Sequence, residues 1–230
     1  VRRGRLLLSS TAALGGAHAL PAASKPLARV GAALGVDSTT TGGVALTFDD
    51  GPHSQGTPAV LEALAAHGAP ATFFLVGEQV ARYPELAREI VAAGHRVALH
   101  GDRHRNLLRL TPGATRRDLD AGAARIGRVT GVVPTLYRPP YGVLSAAALA
   151  HARRRGWRIL LWSHWGRDWE RGATVDSITA RVTCNVGAGS VLLLHDADHY
   201  STLGSWRATA AAVERVLRRL TALGLPLVTA

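Results

Sequence analysis

The chain has 230 residues, 47% of them hydrophobic, and a formal charge of +11 that comes almost wholly from arginine, Lys25 being the only lysine. That length suits one domain with a sizeable core. The single cysteine, Cys184, excludes an intramolecular disulfide and any four-cysteine zinc site. The arginines are scattered through helix-like stretches with no zinc-finger, RNP or helix-turn-helix signature, so the basicity reads as compositional bias and no nucleic-acid partner is expected.

At the amino end Arg2, Arg3 and Arg5 precede a mildly apolar stretch over 6–20 and a run of small residues. Basic, then apolar, then small is the order of an export signal. The stretch is too short, and too rich in Ser, Gly and His, for a stable bilayer span. The expectation is a secreted or cell-wall-associated protein without a membrane span after processing, a cytoplasmic protein with an amino-terminal extension being the alternative. Residues 37–43 read as a linker, which makes 1–42 a leader segment and linker, and 43–230 the folded domain.

Beyond the linker, short apolar runs alternate with longer amphipathic ones, the pattern of parallel strands joined by crossover helices. Strands are expected over 44–49, 71–76, 96–99, 135–137, 158–162, 191–194 and 227–229. The helices between them fall over 57–68, 84–93, 111–129, 145–155, 174–183 and 205–223. Thr57 and Pro58 supply a cap and a first-turn proline for the first helix. The result is an α/β barrel of about seven parallel strands.

Polar residues close these strands: Asp49 and Asp50 after the first, His100 after the third, Arg138 after the fourth, His195 after the sixth. The carboxyl ends of parallel barrel strands share one face, so these residues are expected to form a single site. Two adjacent buried carboxylates need a positive partner there, because an unpaired buried charge costs several kcal/mol. His100 and His104, four residues apart, can present both imidazoles to one side, and with a carboxylate they make a common zinc donor set. Neighbouring residues on extended backbone point in opposite directions, so one of Asp49 and Asp50 is expected to bind the metal while the other serves as a base. His195, from another strand, is placed to protonate a leaving group.

Four segments, Thr47-Phe-Asp-Asp-Gly-Pro52, His100-Gly-Asp-Arg-His104, Arg138-Pro-Pro-Tyr-Gly142 and Leu192-Leu-Leu-His195, occur in the order of four motifs of the polysaccharide deacetylase family. Over about 43–229 the chain resembles that family, also called the NodB homology domain or carbohydrate esterase family 4. The resemblance implies a distorted (β/α) barrel that removes acetyl groups from acetylated sugars with a divalent metal, most often zinc, with cobalt or another divalent ion as alternatives. It implies Asp50, His100 and His104 as metal ligands and Asp49 as general base, kept charged and oriented by Arg138. It implies the backbone N–H of Tyr141 as an oxyanion donor and His195 as general acid, with Leu193 and Trp169 walling the acetyl pocket.

Two departures from the family pattern stand out. Gly101 replaces the usual Ser or Thr, and Trp165 stands where the fourth motif carries the acid that tethers the catalytic histidine. Without that partner His195 is expected to be a weaker acid with a lowered pKa, unless Asp168, Asp196 or Asp198 substitutes. Of the remaining histidines, His53 and His164 are the ones expected near the site. The leading expectation is a hydrolase that deacetylates N-acetylglucosamine in peptidoglycan or chitin-like oligomers, with possible attraction to an anionic cell wall. An O-acetyl esterase acting on xylan is the close rival, and a non-catalytic glycan-binding relative is the alternative of a different class.

Overall fold

The computed structural model describes residues 16–24 and 28–230. The arginines of the leader and most of its apolar stretch lie outside the described residues. Val44–Asp49 (β2) is buried at every position, as a near-continuous apolar run in a parallel sheet must be. It pairs in parallel with Thr72–Leu75 (β3) on one side and with Val191–His195 (β8) on the other.

Among the described residues nine strands form one parallel sheet: Val36–Asp37 (β1), β2, β3, Arg96–Leu99 (β4), Leu136–Tyr137 (β5), Arg158–Leu160 (β6), His164–Trp165 (β7), β8 and Leu227–Val228 (β9). Their spatial order is β1-β6-β5-β4-β3-β2-β8-β7, with β9 also on β2. The described helices are Ala28–Ala33 (α1), Gly56–Ala65 (α2), Gly77–Arg82 (α3), Pro84–Ala92 (α4), Pro112–Thr130 (α5), Ala146–Arg154 (α6), Val175–Val182 (α7) and Ser205–Ala222 (α8). The core is the layer between sheet and helices, where Leu46, Phe48, Phe73 and Leu99 are fully buried. The Phe48 and Phe73 rings stack there at 5.1 Å. None of the described helices is long and apolar enough to cross a membrane.

The parallel α/β expectation agrees with this architecture, and all seven expected strands are present. Two more, β1 and β7, have only two residues each, too few to carry a period of two. They are strands because a neighbour recruits them, Val36 pairing with Ile159 and Trp165 with Leu193. The sheet therefore starts at Val36, inside the 1–42 stretch expected to be leader and linker. Helix ends follow local chemistry: Thr111 Oγ1 accepts from Ala114 N ahead of Pro112 in α5, and Thr174 and Ser177 form a reciprocal capping box on α7.

Thr57 departs from expectation. Helix α2 begins at Gly56, and His53 Nδ1 accepts from the main-chain N–H of Gly56 at 2.9 Å and of Gln55 at 3.2 Å. The Thr57 hydroxyl is buried; it accepts from His53 N at 2.7 Å and donates to the Asp196 carboxyl. Its partner comes from a distant strand end, which local spacing does not reveal.

Candidate active site

The carboxyl ends of β2, β4 and β8 and the loop after β5 surround a cavity of about 220 Å³ lined by Asp49, Asp50, His100, His104, Tyr141, Trp169, Leu193 and His195. Every residue expected at the site except Arg138 lines it, and Arg138 lies directly behind Asp49. Register explains part of this convergence, since Asp49 is the direct partner of His195 between β2 and β8.

The expectation that Asp49 and Asp50 diverge holds only for extended backbone. Asp50 leaves it, with φ at +79°, so both carboxylates line the same cavity. This left-handed conformation is unfavourable for a residue with a side chain, and such strain gathers at functional sites. Just beyond it Gly51 has no room for a side chain, because a Cβ there would run into the buried Asp196 carboxyl.

Asp50 Oδ1 is buried without a hydrogen bond among the described residues, and it faces His104 Nε2 at 3.3 Å and His100 Nε2 at 3.5 Å. One donor atom from each of the three side chains lies within 4.8 Å of the others. His100 Nδ1 is 2.8 Å from the Arg138 carbonyl oxygen; an N–H there leaves the Nε2 lone pair turned to the cavity. Burial lowers the His104 pKa to about 4 against the opposing pull of Asp50, so this imidazole is neutral and able to ligate. Burial alone would raise Asp50, but the adjacent His100 and the charges of His104 and His195 bring it well below the ordinary carboxylate range. Two neutralisable imidazoles and one orphaned carboxylate oxygen fit a divalent cation.

Asp49 is held differently. Arg138, fully buried, donates from Nη1 to Asp49 Oδ1 at 2.7 Å and to Thr47 Oγ1 at 2.9 Å. Its Nε and Nη2 reach the carbonyl oxygens of Leu160 at 2.9 Å and Leu161 at 2.8 Å. The guanidinium lies 3.8 Å above the centre of the Phe74 ring. Four hydrogen bonds and a stacking face fix the fork, and through it Asp49.

His195 has an acidic partner. Asp168 Oδ1 is 2.9 Å from His195 Nδ1, and Asp168 Oδ2 accepts from the His195 main-chain N–H at 2.7 Å and from the Thr209 hydroxyl at 2.8 Å. Burial would lower the histidine pKa, but the charge and hydrogen bond of Asp168, with Asp50 and Asp49 adding, outweigh it and raise it to about 10. Of the three acids named as substitutes, Asp168 is the one that reaches His195, so the fall in pKa expected for a histidine without a partner does not occur. Asp168, three residues after Trp165, reaches the imidazole. Asp196 turns instead to Thr57, and Asp198 to His53 at 3.2 Å.

Tyr141 stands at the cavity mouth in a left-handed conformation, φ +62°, with its ring 4.4 Å from that of His104. Tyr200 stacks on the His104 ring, also at 4.4 Å; no spacing in the sequence singles it out. Trp169 meets His195 edge-on at 5.2 Å, and Trp165, 42% exposed, lies 5.4 Å from Trp169. Gly101 has φ +87°, a conformation that explains the glycine better than a lost hydroxyl does. His164 does not line the cavity and approaches Ser163 instead. His53, Asp198 and His199 form a second group of metal-ligand type. His53 Nδ1 already accepts two main-chain N–H groups, so its proton sits on Nε2 facing Asp198 and no lone pair is left for a metal. This group is a hydrogen-bonded strut between the loops after β2 and β8.

The family model described as "Polysaccharide deacetylase" matches residues 37–160. A chitooligosaccharide deacetylase of Bradyrhizobium sp. (strain ANU 289) is 40% identical over 161 residues, covering 70% of this chain and 73% of the relative. Among solved structures, a peptidoglycan N-acetylglucosamine deacetylase in complex with a benzamide ligand superposes with TM-score 0.79 at 31% identity, covering 85% of this chain and 90% of that one. A family 4 carbohydrate esterase from Streptomyces lividans in complex with acetate gives 0.72 at 32% identity, covering 83% and 93%. With a family match spanning more than half of its residues and relatives alike along most of their length, the chain belongs to the polysaccharide deacetylase family.

Proposed function

We propose that the protein hydrolyses the N-acetyl group of N-acetylglucosamine units in a polysaccharide, with peptidoglycan or chitin-type oligomers as substrate. One observation carries this reading: an arginine-clamped carboxylate, Asp49, and an aspartate-backed histidine, His195, flank the same Asp50, His100 and His104 donor set in one small cavity. The relatives named for N-acetylglucosamine or chitooligosaccharide deacetylation supply the amide and the sugar.

Asp50, His100 and His104 would hold the divalent ion, and their nitrogen-rich donor set favours zinc. Bound there, it would supply Lewis acidity toward the acetyl carbonyl and a lowered pKa for water. Asp49 accepts the proton of the attacking water, its free oxygen turned to the cavity while Arg138 occupies the other. The new C–O bond forms at the acetyl carbon, and the main-chain N–H of Tyr141 stabilises the oxygen that becomes negative. His195 then passes its cavity-facing proton to the amide nitrogen as the C–N bond breaks, releasing acetate and the free amine. Its raised pKa keeps that proton in place at neutral pH. Leu193 and Trp169 close the apolar wall beside the acetyl methyl.

Such a substrate lies outside the cytoplasm, in keeping with the basic and then apolar order of the leader and with a charge that favours an anionic wall. The test is acetate release from chitooligosaccharides, peptidoglycan and acetylated xylan by the purified protein, before chelation, after it, and after zinc is restored. Metal-dependent release from the amide substrates is expected. Release from xylan alone would make the enzyme an esterase, and silence on all three with metal bound would refute the hydrolase.

A further inference from the structure

A second groove, of about 400 Å³, adjoins the catalytic cavity; Tyr141 lines both. Its remaining lining is Arg105, Asn106, Arg109 and Leu110, the residues that directly follow His104. Arg105 is positioned by Asp118, whose buried carboxylate takes Nη2 at 2.6 Å, while the side chain as a whole is 42% exposed. Arg109 is exposed and has no ion pair among the described residues. Asn106 accepts from Leu108 N through Oδ1, which leaves its amide N–H groups as donors. The acids nearby are engaged, Asp118 by Arg105 and Asp102 by Arg125 at 3.0 Å. The groove is thus lined by two guanidiniums and an amide donor, without a free carboxylate, one aromatic ring away from the metal-ligand group.

We propose that this groove is a specificity subsite for a carboxylate carried by the sugar next to the one being deacetylated, with Arg109 and Arg105 as its anion-binding residues. The proposal rests on the glycan deacetylase reading of the neighbouring cavity. A planar carboxylate matches a guanidinium fork, and a neutral chitin-type neighbour would leave Arg109 without a charged partner, Arg105 keeping only Asp118. The preferred polymer is acidic, alternating N-acetylglucosamine with a sugar bearing either a lactyl ether or a uronic acid.

The experiment compares three tetramers of equal length: chitotetraose, alternating N-acetylglucosamine and N-acetylmuramic acid, and alternating N-acetylglucosamine and glucuronic acid. Binding is read by calorimetry and turnover by acetate release, for the wild type, Arg109→Gln and a remote control, Arg219→Gln. Arg219 lies in the last turn of α8, which leads to the opposite end of the sheet. At least one acidic tetramer is expected to bind about tenfold more tightly than chitotetraose. Arg109→Gln should remove most of that advantage through KM, with kcat and chitotetraose kinetics within about twofold. The advantage should also shrink as the Debye length falls from about 30 to 8 Å. Equal affinity for all three tetramers, or an equal loss with Arg219→Gln, would overturn the subsite, the latter by showing attraction to overall charge. Preference between the acidic tetramers identifies which carboxylate the groove takes. Because binding is measured apart from turnover, absence of acetate release would count against the deacetylase reading alone.

Discussion

Asp168 holds His195 at two points, Oδ1 at 2.9 Å from the ring Nδ1 and Oδ2 at 2.7 Å from the main-chain nitrogen of the same residue. One carboxylate therefore sets both the proton affinity of the imidazole and the position of the backbone that carries it. Replacing it tests the general-acid role without touching the metal ligands. Asp168→Asn removes the charge that outweighs burial, so the His195 pKa falls from about 10 toward or below the ordinary histidine range. The alkaline limb of kcat should move to lower pH, and the rate at pH 8 should drop by about a hundredfold. Metal content should stay at the wild-type value. An unchanged pH profile would take the acid role from His195.

The two adjacent aspartates are separable. Asp50→Ala or His104→Ala removes a donor from a group whose three atoms lie within 4.8 Å, and metal retained after dialysis should be lost. Asp49→Asn should retain metal, since the hydrogen bond of Asp49 is to Arg138 and it is not one of the three donors, yet lose on the order of 10² to 10⁴ in turnover. Elemental analysis paired with acetate release checks both; near-normal turnover in Asp49→Asn would move the base elsewhere.

Arg138 ties β2, β6 and the loop after β5 together from a fully buried position. Arg138→Ala leaves the Asp49 charge and two strand-end carbonyls without their donor, a loss of about 3 to 5 kcal/mol in folding stability. Chemical denaturation should show a large fall in midpoint. A change under about 1 kcal/mol would mean that water replaces the guanidinium.

Asp196 gives a pH dependence of opposite sign to that of an ordinary salt-bridged acid. Burial raises its pKa to about 7 despite the Thr57 hydrogen bond, with Asp50 adding in the same direction. The folded state thus binds a proton that the unfolded chain releases near pH 4, so stability falls as pH rises from there toward 7. Asp196→Asn, which cannot ionise, should flatten that decline. Denaturant midpoints at pH 5 and pH 8 measure it, and identical slopes in the two proteins would show that Asp196 ionises freely.

Trp165, exposed at the cavity mouth beside Trp169, offers an indole face on which a pyranose ring can stack. Trp165→Ala should raise KM for oligomers several-fold, about 1 kcal/mol, with the His195 pH profile unchanged. A shifted profile would instead assign Trp165 to the acid.

The amino-acid sequence by itself determined the parallel α/β architecture, because apolar runs such as 44–48 and 191–194 and the amphipathic stretches between them carry their periods locally. It also placed Asp49, Asp50, His100, Arg138 and His195 at strand ends, and a parallel sheet sends all such ends to one face. Tertiary structure alone decided which partners these residues find. The Asp168 contact to His195 spans 27 residues and the Thr57 contact to Asp196 spans 139, distances over which spacing carries no information. The turn at Asp50 is likewise a tertiary matter: φ +79° brings two carboxylates into one cavity where extended geometry would separate them. Strands β1 and β7, two residues each, exist only because a neighbouring strand offers its hydrogen bonds.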